Sequence, residues 1–202
     1  MSELARSRAI RPLGEALHLA DYRARYASYR ADPDLAALHR SLPVIVMPDD
    51  HETANNAWVD GATGHSAKEG DWGARKAAGL RTFAEWLPVS NAPWEQYRIG
   101  DLATLFRIET RYTARDRPLD VRTAMVGAGD REGALRSFMA QLRDPARTLM
   151  GAAQEKWLSD GLASSRVAGI PWQVLAQQVV MGPTRLHPKM FWSTRRTKQS
   201  RA

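Results

Sequence analysis

The chain contains no cysteine among its 202 residues. Disulfides, thiolate metal ligands and a cysteine nucleophile are therefore excluded. Compartment is not fixed by that absence, since exported proteins can also lack cysteine. Long apolar runs are missing too. The longest are strand-sized, so no membrane span is expected. The first residues, "MSELARSRAIRPLGEALHLADYRARY", are basic without an apolar core, so they do not read as a signal peptide. Acidic residues are absent from one stretch: residues 185–202 carry Arg185, Lys189, Arg195, Arg196, Lys198 and Arg201 and no acid. That stretch supplies nearly all of the +7 net charge, and the rest of the chain is close to neutral. The charge pattern thus argues against a nucleic-acid-binding body. It leaves one alternative reading, a non-catalytic module whose basic tail contacts acidic partners.

What is present fits one globular domain. Hydrophobic residues make up 44% and charged residues 25%, which separates the chain from disordered compositions. "LADYRARYASYR" places Tyr22, Tyr26 and Tyr29 on one helical face, a spacing that favours core packing. "ADPDLAALHR" restarts a helix, with Asp32 as N-cap and Pro33 in the first turn. Pro43–Met47 reads as a short buried strand and residues 53–70 as a long loop. A helix follows over Asp71–Trp86. "YRIGDLATLFRIET" reads as a hairpin turning at Gly100-Asp101. Two more helices are expected in "DREGALRSFMAQLRD" and "GAAQEKWLSDGLASS". Pro171–Met181 reads as a final strand. Helices alternating with strands imply a layered α/β domain.

"MPDDHETANNAW" is the segment that raises a chemical question. Asp49, Asp50, His51 and Glu52 stand side by side, and three carboxylates repel unless a cation faces them or water surrounds them. Ligand sites in open α/β sheets form beyond the carboxyl ends of strands, and carboxylates with an imidazole suit hard or borderline metals. A solvated acidic turn explains the same letters. Arg111, at a strand end, could grip phosphate bidentately or pair with Glu109 or Asp116. His18 and His39 fall in helical patterns, His65 in the long loop and His187 near the tail.

"DYRARYASYRADPDLAALHRSLPVIVMPDDHETANNAW" resembles the alkaline phosphatase D (PhoD-like) family of metallophosphoesterases. So, in the same order, do "EGDWGARKAAGLRTFAEWLPV", "YRIGDLATLFRIETR", "RTLMGAAQEKWL" and "VLAQQVVMGP". The resemblance spans residues 19–183, with 1–18 as an extension and 184–202 as a basic, disordered tail. It implies hydrolysis of phosphate mono- or diesters at an iron and calcium centre. It also implies a β-sandwich flanked by helices, here a partial metallophosphoesterase-like layering with an incomplete sheet. On that basis Asp50, then Asp49, would bind metal. His51 would stabilise the transition state or protonate the leaving oxygen, and Arg111 would hold phosphate. Glu109 stands where the family usually has Asp. Family members are usually exported. Acidic positions before the matched region and a late Asp- and His-bearing segment find no counterpart here. The expectation is therefore a central fragment, weakly active or inactive alone, to which a complementary chain could add the missing strands.

Overall fold

A computed structural model describes residues 10–87, 90 and 92–181. The chain divides into two compact units. One takes the described residues of Met1–Pro118 and Ala146–Gln178, the other those of Leu119–Pro145 and Val179–Ala202. The tail at 184–202 and the start of the N-terminal extension lie outside the described residues. Among the described residues no helix is long and apolar enough to cross a membrane.

The larger unit begins with helix α1 (Leu19–Arg30) and helix α2 (Pro33–Ser41). Asp32 caps α2 as its sequence implies, its Oδ1 accepting from the amides of Asp34 at 3.0 Å and Leu35 at 3.2 Å. Such a cap contributes about 1 kcal/mol. Asp71 caps the next helix, α3 (Trp72–Trp86), through the Ala74 amide at 2.7 Å. Helices α1 and α3 lie together, tied by a bidentate pair in which Arg23 donates to Glu85 at 2.6 and 2.7 Å. Tyr26 and Trp86 stack beside it, with ring centroids 6.3 Å apart.

Between α2 and α3 the structure departs from the sequence reading. Pro43–Met47 is not a strand. No described strand lies alongside to share a ladder, and Val44 and Ile45 are 41% and 47% exposed. Prolines at 43 and 48 remove two backbone donors, which disfavours pairing further. Residues 50–52 form a single 3₁₀ turn, and the expected loop contains a small antiparallel pair, β1 (Ala57–Trp58) with β2 (Gly61–Ala62). Ala54, Ala57, Ala62, Trp72 and Tyr112 bury one core cluster beneath this segment.

The main sheet orders β3 (Glu95–Ile99), β4 (Ala103–Arg107) and β5 (Trp172–Ala176). β3 and β4 form the expected hairpin, with Gly100 at φ +51° supplying the left-handed turn residue. β5 joins β4 in parallel, Ala103 opposite Trp172, and is shorter than the expected Pro171–Met181. Helix α6, the last in the chain (Gly151–Val167), crosses one face. Phe106, Ile108 and Leu158 are buried there with Trp157 and Leu162 against them. Gly161 permits the approach, because a Cβ would stand 2.6 Å from the Phe106 ring. Thr104 and Ser165 share a buried hydroxyl hydrogen bond of 2.8 Å across the same interface.

The smaller unit contains helix α4 (Val121–Met125), which the sequence reading did not anticipate, and helix α5 (Arg131–Leu142), which it did. Asp120 and Asp130 cap them. The described residues thus form a mixed α/β protein with six helices.

Candidate functional site

The acidic turn is built from its own backbone outward. Asp49 begins the 3₁₀ turn, and the Glu52 carboxylate reaches back to accept the Asp49 amide at 2.5 Å. That reciprocal contact is a capping box compressed into one turn. The Asp50 carbonyl accepts the Thr53 amide at 3.0 Å, and Asp50 Oδ2 accepts the Asn56 amide at 2.6 Å. Asn56 sits at φ +52°, a region that Asn tolerates better than most residues. Asp50 is buried by this fold-back, at 7% exposure.

The cation that faces Asp49 and Asp50 is a guanidinium, while Glu52 turns to the Asp49 amide. Arg111 Nε donates to Asp49 Oδ1 at 2.7 Å, and another Arg111 nitrogen lies 3.7 Å from Asp50 Oδ2. Sequence reasoning offered Glu109 or Asp116 as partners, and neither is used by the Arg111 side chain. Glu109 acts on the backbone instead. Its carboxylate accepts the amides of Arg111, Tyr112 and Thr113 at 2.6 to 3.0 Å, and the Thr113 hydroxyl at 2.7 Å. Gln154 from α6 holds Glu109 in turn. It accepts the Glu109 amide at 2.7 Å and donates to the Glu109 carbonyl at 2.8 Å. Tyr112 then donates its hydroxyl to the Asp49 carbonyl and meets the Thr53 hydroxyl at 3.1 Å. The segment after β4 and the acidic turn are one hydrogen-bonded body.

Helix α3 supports the turn from the other side. A Cβ at Gly79 would stand 2.4 Å from the Glu52 carbonyl oxygen, so only glycine lets the helix approach. Burial pushes the Glu52 carboxyl above its ordinary range, with its hydrogen bond to the Asp49 amide opposing. Burial also lowers the Arg115 guanidinium, and the like charge of Arg111 adds to that.

His51 is separated from its neighbours. It is exposed, its Nε2 lies 3.1 Å from Asn55 Oδ1, and it lines a cleft of about 620 Å³ that Asp49, Asp50 and Arg111 do not line. The structure therefore brings Asp49, Asp50 and Arg111 together and turns His51 to another opening. His65 packs on Trp72 with ring centroids 5.3 Å apart. His18 is the N-cap residue of α1, and His39 lines the cleft.

Arg75 is the polar centre that sequence reasoning missed. It is 3% exposed and donates to the Tyr22 hydroxyl at 3.1 Å, the Gly64 carbonyl at 3.1 Å and Glu15 at 2.6 Å. Its one sequence signal is an arginine on the face of α3 that also carries Gly79, Thr82 and Phe83.

Tested against a metal centre, the described residues do not fit one by themselves. They contain no group of three or more His, Cys, Asp or Glu side chains arranged to hold an ion. The two aspartates that could ligate are already engaged by Arg111 and the Asn56 amide.

An acidic turn tied to the segment after β4, not to a strand end as the sequence implies for Arg111, leaves the choice of family open. The comparisons narrow it. A model of the PhoD-like phosphatase family matches residues 3–199, and the chain belongs to that family. It is 33% identical over 175 residues to alkaline phosphatase D of Bacillus subtilis (strain 168), an alignment covering 82% of this chain and 27% of that protein. A solved structure titled "Structure of PhoD" superposes with a TM-score of 0.63 at 30% identity, covering 83% of this chain and 31% of that one. The chain thus spans about a quarter to a third of the length of the relatives it matches.

Proposed function

We propose that this chain carries part of the centre of a metal-dependent phosphoester hydrolase acting on phosphate mono- or diesters. Its sheet would then belong to a larger metallophosphoesterase-like β-sandwich. Family membership supports the reaction class. The observation that carries the local reading is the convergence of Asp49 and Asp50 on one cation in the segment after β4.

In the hydrolytic step, water oxygen bonds to phosphorus and the bond from phosphorus to the ester oxygen breaks. The leaving oxygen takes up a proton while the attacking water gives one up to solvent; His51 is the proposed donor, and because it faces the cleft, a substrate held by Arg111 would have to reach across the turn to it. Arg111 would hold phosphoryl oxygens by exchanging its carboxylate partners for them, since both are planar acceptors for the same fork. Asp50, with Asp49 second, is the position from which a metal ligand would come. Iron and calcium are the ions the family resemblance implies. The described residues do not by themselves assemble a centre for them.

The chain alone is expected to turn over p-nitrophenyl phosphate or bis(p-nitrophenyl) phosphate weakly or not at all with added iron and calcium. One or two ligands do not replace a full set. Activity should appear when the remaining part of a PhoD-like domain is supplied as a complementary chain, and His51→Ala should abolish it. Complemented activity that survives His51→Ala would reject the role given to that residue.

A further inference from the structure

The cleft beside His51 is not used by the contacts that bind the acidic turn to Arg111. Its volume of about 620 Å³ lies within the range of small-ligand sites, roughly 300–1,000 Å³. Helices α1 and α2 and the 3₁₀ turn wall it, and the tyrosine stripe of α1 runs along it. The stripe changes character along its length. Tyr22 is 4% exposed and its hydroxyl donates to the Thr53 carbonyl at 2.6 Å, so it belongs to the core. Tyr26 is half-buried with one face on Trp86. Tyr29 is 53% exposed. Core packing therefore accounts for the first ring and not for the last.

Arg25 stands between Tyr22 and Tyr26 in sequence, Arg30 follows Tyr29, and both line the same cleft. Arg25 donates to the carbonyls of Pro12 at 3.0 Å and Gly14 at 2.9 Å, and Arg30 to the carbonyl of Trp86 at 3.3 Å. A carbonyl fixes a guanidinium in place without cancelling its charge. Of the two acids on the wall, Glu15 is joined to Arg75 at 2.6 Å, and Glu52 accepts the Asp49 amide. Aromatic faces and fixed cations on one wall suit a ligand that is planar at one end and anionic at the other.

We propose that this cleft binds an aromatic organic phosphate, its ring against Tyr29 and Tyr26 and its anionic group toward Arg30 and Arg25. The proposal rests on the phosphoester reading only for the choice of phosphate as the anion. The phosphate held there is separate from the ester whose phosphoryl oxygens Arg111 would hold, since Asp49, Asp50 and Arg111 do not line this cleft.

Binding is measured on the full chain by amide NMR shifts, with chelator present so that no hydrolysis occurs. The probes are p-nitrophenyl phosphate, p-nitrophenol and inorganic phosphate. Saturable shifts on α1 and α2 are expected with p-nitrophenyl phosphate, with each half-ligand at least about tenfold weaker. Tyr29→Ala and Arg30→Met should each weaken binding by about fivefold or more. Tyr29 is exposed enough that its loss leaves a dispersed native spectrum as the folding control. Equal affinity for inorganic phosphate, shifts away from α1 and α2, no saturation, or unchanged affinity in both variants would overturn the site. Binding without hydrolysis in the complemented protein would strike the catalytic reading and leave this one standing. Hydrolysis in the complemented protein with no saturable shifts on α1 and α2 would do the reverse.

Discussion

Replacing Arg111 by methionine keeps most of the side-chain volume and removes the cation beneath the acidic turn. The Arg111 side chain is 9% exposed, Asp50's is 11% and Asp49's is 48%. Breaking a fully buried ion pair costs about 3–5 kcal/mol, because the remaining charge is left without compensation. An exposed pair is worth about 0–1 kcal/mol. Asp49 can take water in place of Arg111, so its share falls at the low end. Asp50 cannot, although it keeps the Asn56 amide at 2.6 Å and its contact with Arg111 is the longer one, at 3.7 Å. The loss should therefore be about 2–3 kcal/mol, read as a lower urea midpoint at unchanged slope. Arg136→Met is the comparator, since that pair is 66% and 83% exposed and should cost below about 0.5 kcal/mol. Arg111→Met should also bind a trivalent lanthanide more tightly than the parent, detected by energy transfer from Tyr112 beside Asp49. An Arg111→Met protein as stable as the parent would refute the view that the guanidinium is the turn's counter-ion. A destabilised protein with unchanged lanthanide affinity would refute the competition between arginine and metal.

Gln154→Leu strips both backbone contacts from Glu109 inside a fully buried site. A loss of about 2–4 kcal/mol is expected by urea unfolding, from two groups left unsatisfied. Gly79→Ala drives a Cβ against the Glu52 carbonyl and the Thr53 methyl. It should destabilise by about 1–3 kcal/mol and shift the amide resonances of residues 50–53. Two glutamates oppose each other in pH dependence. Glu85, held down to about 2 by Arg23 and then Arg81, stabilises the fold above the usual value of 4.5, and that contribution is lost as pH falls through about 2. Glu52 has its pKa raised by burial, so stability falls as pH rises from 4.5 through its folded value. Glu85→Gln should flatten the acid limb of a stability–pH profile and Glu52→Gln the limb above 4.5. Reversed effects would contradict the assigned causes.

Local chemistry made most of the helices legible. Asp32-Pro33 and Asp71 are caps whose hydrogen bonds close within three residues, so the sequence contains the whole interaction. The β3–β4 hairpin was legible for the same reason, its turn being set by Gly100 at positive φ. Pro43–Met47 was misread because an apolar run becomes a strand only when a neighbour supplies the ladder, and no described strand does so. Helix α4 was missed because its five residues carry no apolar period. Its N-cap, Asp120, is its one local signal.

The site was legible in composition and not in connection. Three adjacent carboxylates announce that a cation is near, but nothing in the segment says which cation. Here it comes from 62 residues away. Its position depends on Glu109, whose extra methylene relative to Asp lets one carboxylate reach three successive amides and a hydroxyl. Glu109 depends in turn on Gln154, another 45 residues along. A change at Gln154 should therefore be felt at Asp49 although the two are not in contact. The order of effects follows from the chain of contacts: Gln154→Leu loosens Glu109, then the Arg111 backbone, then the guanidinium on Asp49. If that order holds, Gln154→Leu and Arg111→Met will be less than additive in stability, because the second change removes a contact the first has already weakened. Full additivity would mean that Gln154 supports only α6 and β4, and that the acidic turn keeps its arginine without it.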